Sequence, residues 1–148
     1  MADMADQASQ RVTVSAFPEK CFAVATDFEN YPTWVSDVKE AKVLSRDAQG
    51  RGVEVEFRTS ALGRSTHYTL RYDYSQAPRV MSWNMVTGDI MRSIDGAYTF
   101  DAAAGGGTDV TYTLSIELVV PLPGFVKRRA EVRIVNSVKD LKARIESA

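Results

Sequence analysis

From about Val38 to Leu118 apolar and polar residues alternate with a period of two, while on either side the period is three to four. That switch predicts a strand-rich middle flanked by helices. RVTVSA (11–16) alternates as a short opening strand. Pro18 then suits the first turn of a helix, where its missing N–H costs nothing. PEKCFAVATDF places Phe22, Ala25 and Phe28 at spacings of three, on one face. The helix is expected to stop between Asp27 and Asn30, because Pro32 cannot continue it and pushes Tyr31 out of the helical region. A second short helix, about PTWVSDV (32–38), would begin at that proline. Residues 1–10 show no periodicity and are read as a mobile tail, leaving 11–148 as one domain.

In the middle stretch KEAKVLSRD reads as a strand and DAQGRG as its turn. VEVEF alternates apolar with acidic residues. HYTLRYDY puts Tyr68, Leu70, Tyr72 and Tyr74 on one parity, and RVMSWNMV does the same for Met81, Trp83 and Met85. IMRSIDGAYTF and TDVTYTLSIELVV follow, separated by AAAGGG. Such clean alternation predicts antiparallel strands with one wet face. Beyond PLPG, Ala130, Ile134, Val138, Leu141 and Ile145 recur at helical spacing within about Gly124–Glu146. About twenty helical residues span roughly 30 Å, enough to cross a whole sheet.

A chain of 148 residues is one domain, large enough to enclose a cavity. A net charge of −1 with a pI near 5.8 argues against nucleic acid as a partner. Cys21 and His67 each stand alone, so neither a disulfide within the chain nor a cysteine- or histidine-rich metal site is expected, and no cofactor is inferred. No apolar run approaches the roughly 18 residues of a membrane span. MADMADQASQ is polar and lacks a secretory signal's apolar stretch, so a cytoplasmic protein, monomer or weak homodimer, is expected.

Several stretches together resemble the START-like (SRPBCC) superfamily, in its polyketide cyclase/dehydrase and coenzyme Q-binding-protein branch. They are Ala16-Phe17-Pro18-Glu19, DFENYPTW (27–34), Ser82-Trp83, GAYTF followed by GGGTDVTY, and VPLPGFVKRRAE. The resemblance implies an α+β helix-grip fold, in which a curved seven-stranded antiparallel sheet wraps a long C-terminal helix. Two short helices would follow the first strand and close one end. A bent sheet and a straight helix cannot touch along their whole length, so side chains, water or a ligand must fill the gap. Phe28, Tyr31 and Trp34 would seal a corner of it around Pro32.

Strand parity gives the wall of that gap. It comprises Val53, Val55, Phe57, Tyr68, Leu70, Tyr72, Met81, Trp83, Met85, Tyr98, Phe100, Tyr112, Leu114 and Ile116, with Ile134, Val138 and Leu141 from the helix. Tyrosines offer apolar bodies with hydroxyl tips, suited to a large apolar ligand bearing a few oxygens or to a closed core with hydroxyls at its rim. Counting back from Tyr98 through Gly96 and Ile94 puts Arg92 on the same face. A buried guanidinium needs a partner, so Arg92 would either pair with a ligand oxygen or reach water at a strand end. The candidate ligand-binding set is therefore Arg92, Tyr68, Tyr72, Trp83, Met85, Tyr98, Tyr112, Leu114, Ile134, Val138 and Trp34.

His67 has the opposite parity to Tyr68 and should face solvent or a sheet neighbour. No Ser/His/Asp arrangement shares a face, so no catalytic residue is assigned. Asp27, Glu29 and Asn30 are expected to cap or solvate helix ends. Lys127, Arg128 and Arg129 open the last helix against its dipole, as a solvated face or as an attraction for an anionic headgroup. Binding or transport of a hydrophobic small molecule (lipid, isoprenoid quinone or polyketide-like) is the expected function, since it requires only the cavity. An aromatase/cyclase-type enzyme is the alternative. A protein- or ribosome-interaction module is a third, weakened by the near-neutral charge.

Overall fold

A computed structural model of the chain describes residues 6–61, 64–89, 91–118 and 137–147. The first strand, β1 (Asp6–Val14), leads into helix α1 (Pro18–Ala25), a single 3₁₀ turn (Phe28–Asn30) and helix α2 (Tyr31–Trp34). Six strands follow: β2 (Val38–Arg46), β3 (Gly52–Ala61), β4 (Arg64–Asp73), β5 (Val80–Gly88), β6 (Met91–Ala102) and β7 (Thr108–Leu118). Residues 137–147 are helical and form α3. The strands make one seven-stranded antiparallel sheet in the order β1-β7-β6-β5-β4-β3-β2. This is the expected helix-grip architecture.

Helix starts and stops are set locally. Pro18 occupies the first turn of α1, and Phe17 precedes it in extended geometry. The helix ends at Ala25, slightly earlier than expected. Cys21 and Ala25, four apart, form its buried face, with Phe22 half-buried beside them. Pro32 sits in the first turn of α2, which includes Tyr31 and is shorter than the spacing suggested, because Val38 already pairs with β3.

Two differences from the sequence reading concern β1 and β6. The first strand starts at Asp6 rather than Arg11, and residues 6–10 pair with β7 from Ile116 to Tyr112. As the sheet's edge, β1 pairs there through its backbone with β7, and DQASQ has no apolar rhythm to read. In β6 the register slips between Met91 and Ser93. Such an extra residue turns every side chain before it to the other face.

The core lies between the concave face of the sheet and the helices. Val14, Cys21, Ala25, Met81, Val110, Leu141 and Ile145 are fully buried within one cluster. Of the five apolar positions expected on the last helix, Val138, Leu141 and Ile145 are buried; Ala130 and Ile134 lie outside the described residues. The C-terminal end of α3 is tied to the first strand. Ser15 N–H donates to Glu146 Oε2 (2.9 Å), and Lys142 Nζ donates to Thr13 O (3.0 Å) and Glu146 Oε2 (2.7 Å). Nearer the middle of the chain's helical corner, Ser36 N–H and Oγ both donate to Asp140 Oδ2 (3.2 and 3.0 Å).

Candidate functional site

The floor of the concave face is a connected sheet of rings. Phe28 lies 4.5 Å from Tyr72, centroid to centroid, Tyr72 lies 5.7 Å from Trp83, and Trp83 lies 5.4 Å from Tyr98 and 5.8 Å from Tyr112. Tyr98 and Tyr112 approach to 4.7 Å, and Phe57 and Tyr68 to 5.7 Å. Antiparallel pairing builds this directly, since Tyr72 faces Trp83, Met81 faces Tyr98, and Tyr98 faces Tyr112 across neighbouring strands. The indole of Trp83 rests on Gly96. A Cβ there would come within 2.6 Å of the ring and 2.7 Å of the Thr113 carbonyl oxygen, so only glycine lets the ring lie flat.

Expected wall residues fall into two groups. Tyr72, Trp83, Tyr98 and Val138 are buried. Tyr68, Met85, Tyr112, Leu114 and Trp34 are half-buried, although the four strand residues share the inward parity. Inward-facing apolar side chains that still keep accessible area border open space. Ile134 lies outside the described residues, as do Lys127, Arg128 and Arg129.

Arg92 does not belong to this wall. The slip between Met91 and Ser93 breaks the parity count, and the Arg92 side chain is 62% exposed, with Nε 4.0 Å from Glu117 Oε1. Glu117 alternates with the inward Ile116, so the pair sits on the convex side. His67 is exposed, as its parity required. The acidic corner does other work than capping. Neither Asp27 nor Asn30 caps a helix backbone through its side chain; Asn30 Nδ2 donates to Asp27 Oδ2 (2.7 Å), and Glu29 pairs with Arg46 on β2 (2.8 Å).

The tyrosine hydroxyls differ in what they touch. Tyr31 donates to the Ala25 carbonyl, and Tyr74 to the Gly52 carbonyl at 2.5 Å. The hydroxyls of Tyr72 and Tyr98 have no hydrogen-bond partner among the described residues. Burial, reinforced by neighbouring phenols, pushes Tyr72 and Tyr98 well above the ordinary phenol value of 10.0. Both stay protonated at neutral pH, as donors to an oxygen and not as bases.

A separate shallow depression lies by the β2–β3 and β4–β5 turns, lined by Asp47, Arg51, Arg71, Asp73, Ser75 and Asn84 against Tyr72 and Tyr74. Its cations are already engaged. Arg51 bonds Asp47 (2.8 Å) and stacks on the Tyr74 ring, 4.6 Å from its centroid, and Arg71 bonds Glu54 (2.7 Å). It suits no apolar ligand.

The family model for polyketide cyclase / dehydrase and lipid transport matches residues 5–146, nearly the whole chain. The chain belongs to that family. Among solved structures, a START superfamily protein from Mycobacterium smegmatis superposes with a TM-score of 0.87 at 24% identity, covering 95% of this chain and 97% of that one. The Zhui aromatase/cyclase from Streptomyces sp. R1128 gives 0.81 at 16% identity, covering 96% and 94%. A major latex-like protein from Panax ginseng gives 0.69 at 12% identity, covering 96% and 98%. At these identities the likeness shows the fold alone, and it is the START-like fold expected. No curated protein matches the sequence. Among the described residues no helix is long and apolar enough to cross a membrane.

Strand parity was the signal that located the aromatic floor. Two buried residues it could also have found are Thr59 and Thr66, which have the inward parity of Phe57 and Tyr68 and no solvent exposure. Threonine reads as polar in a hydrophobic pattern, so both were passed over.

Proposed function

We propose that this member of the polyketide cyclase / dehydrase and lipid transport family binds or carries a hydrophobic small molecule on the aromatic floor of its concave face, in a cytoplasmic setting. The observation that carries this is the set of inward-facing side chains that remain accessible: Tyr68, Met85, Tyr112 and Leu114. They border the buried rings of Tyr72, Trp83 and Tyr98. A planar or chain-like apolar molecule with a few oxygens fits such a surface, because rings and thioethers supply contact area and the two unpartnered phenols supply donors. An isoprenoid quinone, a fatty-acyl lipid and a polyketide-like compound all meet that description.

Gentle purification followed by native mass spectrometry, lipid extraction and binding to a quinone, fatty-acyl and polyketide panel tests the proposal. A retained or bound apolar ligand is expected. Failure to hold any member of the panel overturns it.

The cyclase alternative draws on the same two phenols, which would stabilise an enolate as hydrogen-bond donors. It also needs a base, and among the described residues of β2 to β7 no carboxylate or histidine has the inward parity, Asp6 on the edge strand β1 being the one acid that does. Binding without chemistry is therefore preferred. Turnover of a linear poly-β-keto substrate whose product pattern changes in Tyr98→Phe would reverse that preference.

A further inference from the structure

The pairing of β5 with β6 runs from Val80 opposite Thr99 to Asn84 opposite Asp95, and among the described residues it ends there. Both strands continue. β5 reaches Gly88 paired with β4, and β6 begins at Met91 paired with β7. The sheet therefore parts between Met85–Gly88 and Met91–Ile94. Each strand carries an extra residue in this stretch. Thr69 faces Thr87 and Leu70 faces Met85, which leaves Val86 over on β5. Met91 faces Leu118 and Ser93 faces Glu117, which leaves Arg92 over on β6. A bulge bends its strand and sharpens its twist, so one on each side of the seam accounts for the parting.

The far end of the β5 side is fastened to β4. Asp89 N–H donates to the His67 carbonyl (3.1 Å), and the Asp89 carboxylate accepts the His67 N–H (2.9 Å) and the Thr66 hydroxyl. A strand edge with no strand beside it presents a row of N–H and C=O groups that must be satisfied from outside the sheet. These edges are within reach of an outside molecule. Val86 is 40% exposed, Thr87 and Gly88 are exposed, and Ser93 is half-buried. On the concave side the opening is bordered by Met85 and, beyond β6, by Leu114 and Ile116, all half-buried. The polar opening and the accessible part of the apolar floor are thus neighbours.

We propose that the opening between β5 and β6 seats the oxygen-bearing end of a chain-like apolar ligand whose body lies along the aromatic floor. This rests on the ligand-binding function proposed above and deepens it. The seated group is uncharged: an alcohol, ketone or ester. Backbone N–H groups donate to its oxygen. Carbonyl oxygens alternate with them along each edge, and the Asp89 carboxylate stands at the end of one, so a ligand carboxylate is repelled. The parted stretch is four residues on each strand, shorter than an ordinary strand, which suits a small group better than an added strand from another chain.

Two spin-labelled esters test the seat, 5-doxyl and 16-doxyl methyl stearate, read by broadening of assigned backbone amide signals in the full chain. The 5-doxyl ester, labelled near its oxygens, should broaden Val86, Thr87 and Ser93 more than Met81 and Tyr98, which lie roughly 14 Å back along the strands. The 16-doxyl ester should reverse that order. The opposite assignment, or the same pattern from both esters, overturns the seat while leaving ligand binding intact. Broadening by neither ester also overturns the seat, and ligand binding is then decided by the panel alone. Competition against the 5-doxyl ester at neutral pH tests the head group. Methyl decanoate should displace it about tenfold more effectively than decanoate, a difference of about 1.4 kcal/mol. Equal or better displacement by decanoate overturns the uncharged head group.

Discussion

Where β1 hands over to α1, Val14, Cys21, Met81, Phe100 and Val110 belong with Leu141 and Ile145 of α3 to one cluster with almost no solvent contact. Toward the other ends of β4, β5 and β7 the same face carries Tyr68, Met85, Leu114 and Ile116, all half-buried. Both ends are built by one alternation in the same strands, so pattern alone does not separate them. At the closed end α1 and α3 pack down and are pinned at their rims by Ser15, Lys142 and Glu146, with Thr108 Oγ1 donating to the Ala16 carbonyl at 2.6 Å. The closed end holds the molecule together, and the accessible end is where the proposed ligand would sit.

The largest test of that division removes an equal volume from each end. Leu141→Ala should cost about 2–5 kcal/mol in denaturant unfolding, as a fully buried leucine does. Leu114→Ala should cost about 1 kcal/mol or less, since a half-buried leucine already forgoes part of its transfer energy. Ligand affinity should move the opposite way, falling for Leu114→Ala and holding for Leu141→Ala. Equal destabilisation by the two substitutions would mean the face is one continuous core.

The tyrosines sharpen the same contrast on a smaller scale. Tyr31 is locked by its bond to the Ala25 carbonyl, whereas Tyr98 spends its hydroxyl on nothing in the described protein. Tyr31→Phe should therefore lose about 1 kcal/mol of stability, and Tyr98→Phe no more than about 0.5 kcal/mol. Affinity for an oxygen-bearing ligand should drop in Tyr98→Phe and stay unchanged in Tyr31→Phe. Reversed stabilities would show that Tyr98, and not Tyr31, is the structural phenol.

The antiparallel strands and most of the aromatic floor were legible because period-two alternation reports directly which residues turn inward, and the helix grip was implied by the family resemblance. Legibility failed wherever the backbone departed from that period. Arg92 was placed on the inner wall by counting through Ser93 to Ile94, and the slip at Met91/Ser93 carries no sequence mark that counting could detect. The start of β1 was missed for the opposite reason, since DQASQ pairs through its backbone without presenting apolar side chains in sequence. The corner around Pro32 was half legible. Phe28 and Tyr31 are buried against Tyr72 and Phe57 as a cap should be, but Trp34 stays half-buried, 5.1 Å from Tyr31 and nearer the surface than its size suggested. Thr59 was hidden by residue type, although its parity was in plain view.

The smallest expected effect lies at the rim of the closed end. Hydrogen bonds from Lys142 and from the Ser15 N–H hold the Glu146 carboxyl below its ordinary value of 4.5. A carboxyl depressed in the folded state adds stability above its unfolded value, and that stability is lost as pH falls through the lower folded value. Glu146→Gln should therefore melt slightly below the wild type at neutral pH, and the gap should close as pH drops from about 6 through the carboxylate range. Added salt should narrow it too, because the group is exposed and screened. A gap that persists unchanged into acid would show that Glu146 fastens α3 to β1 by packing rather than by charge, and the pinned rim of the closed end would then have to be explained by its apolar contacts alone.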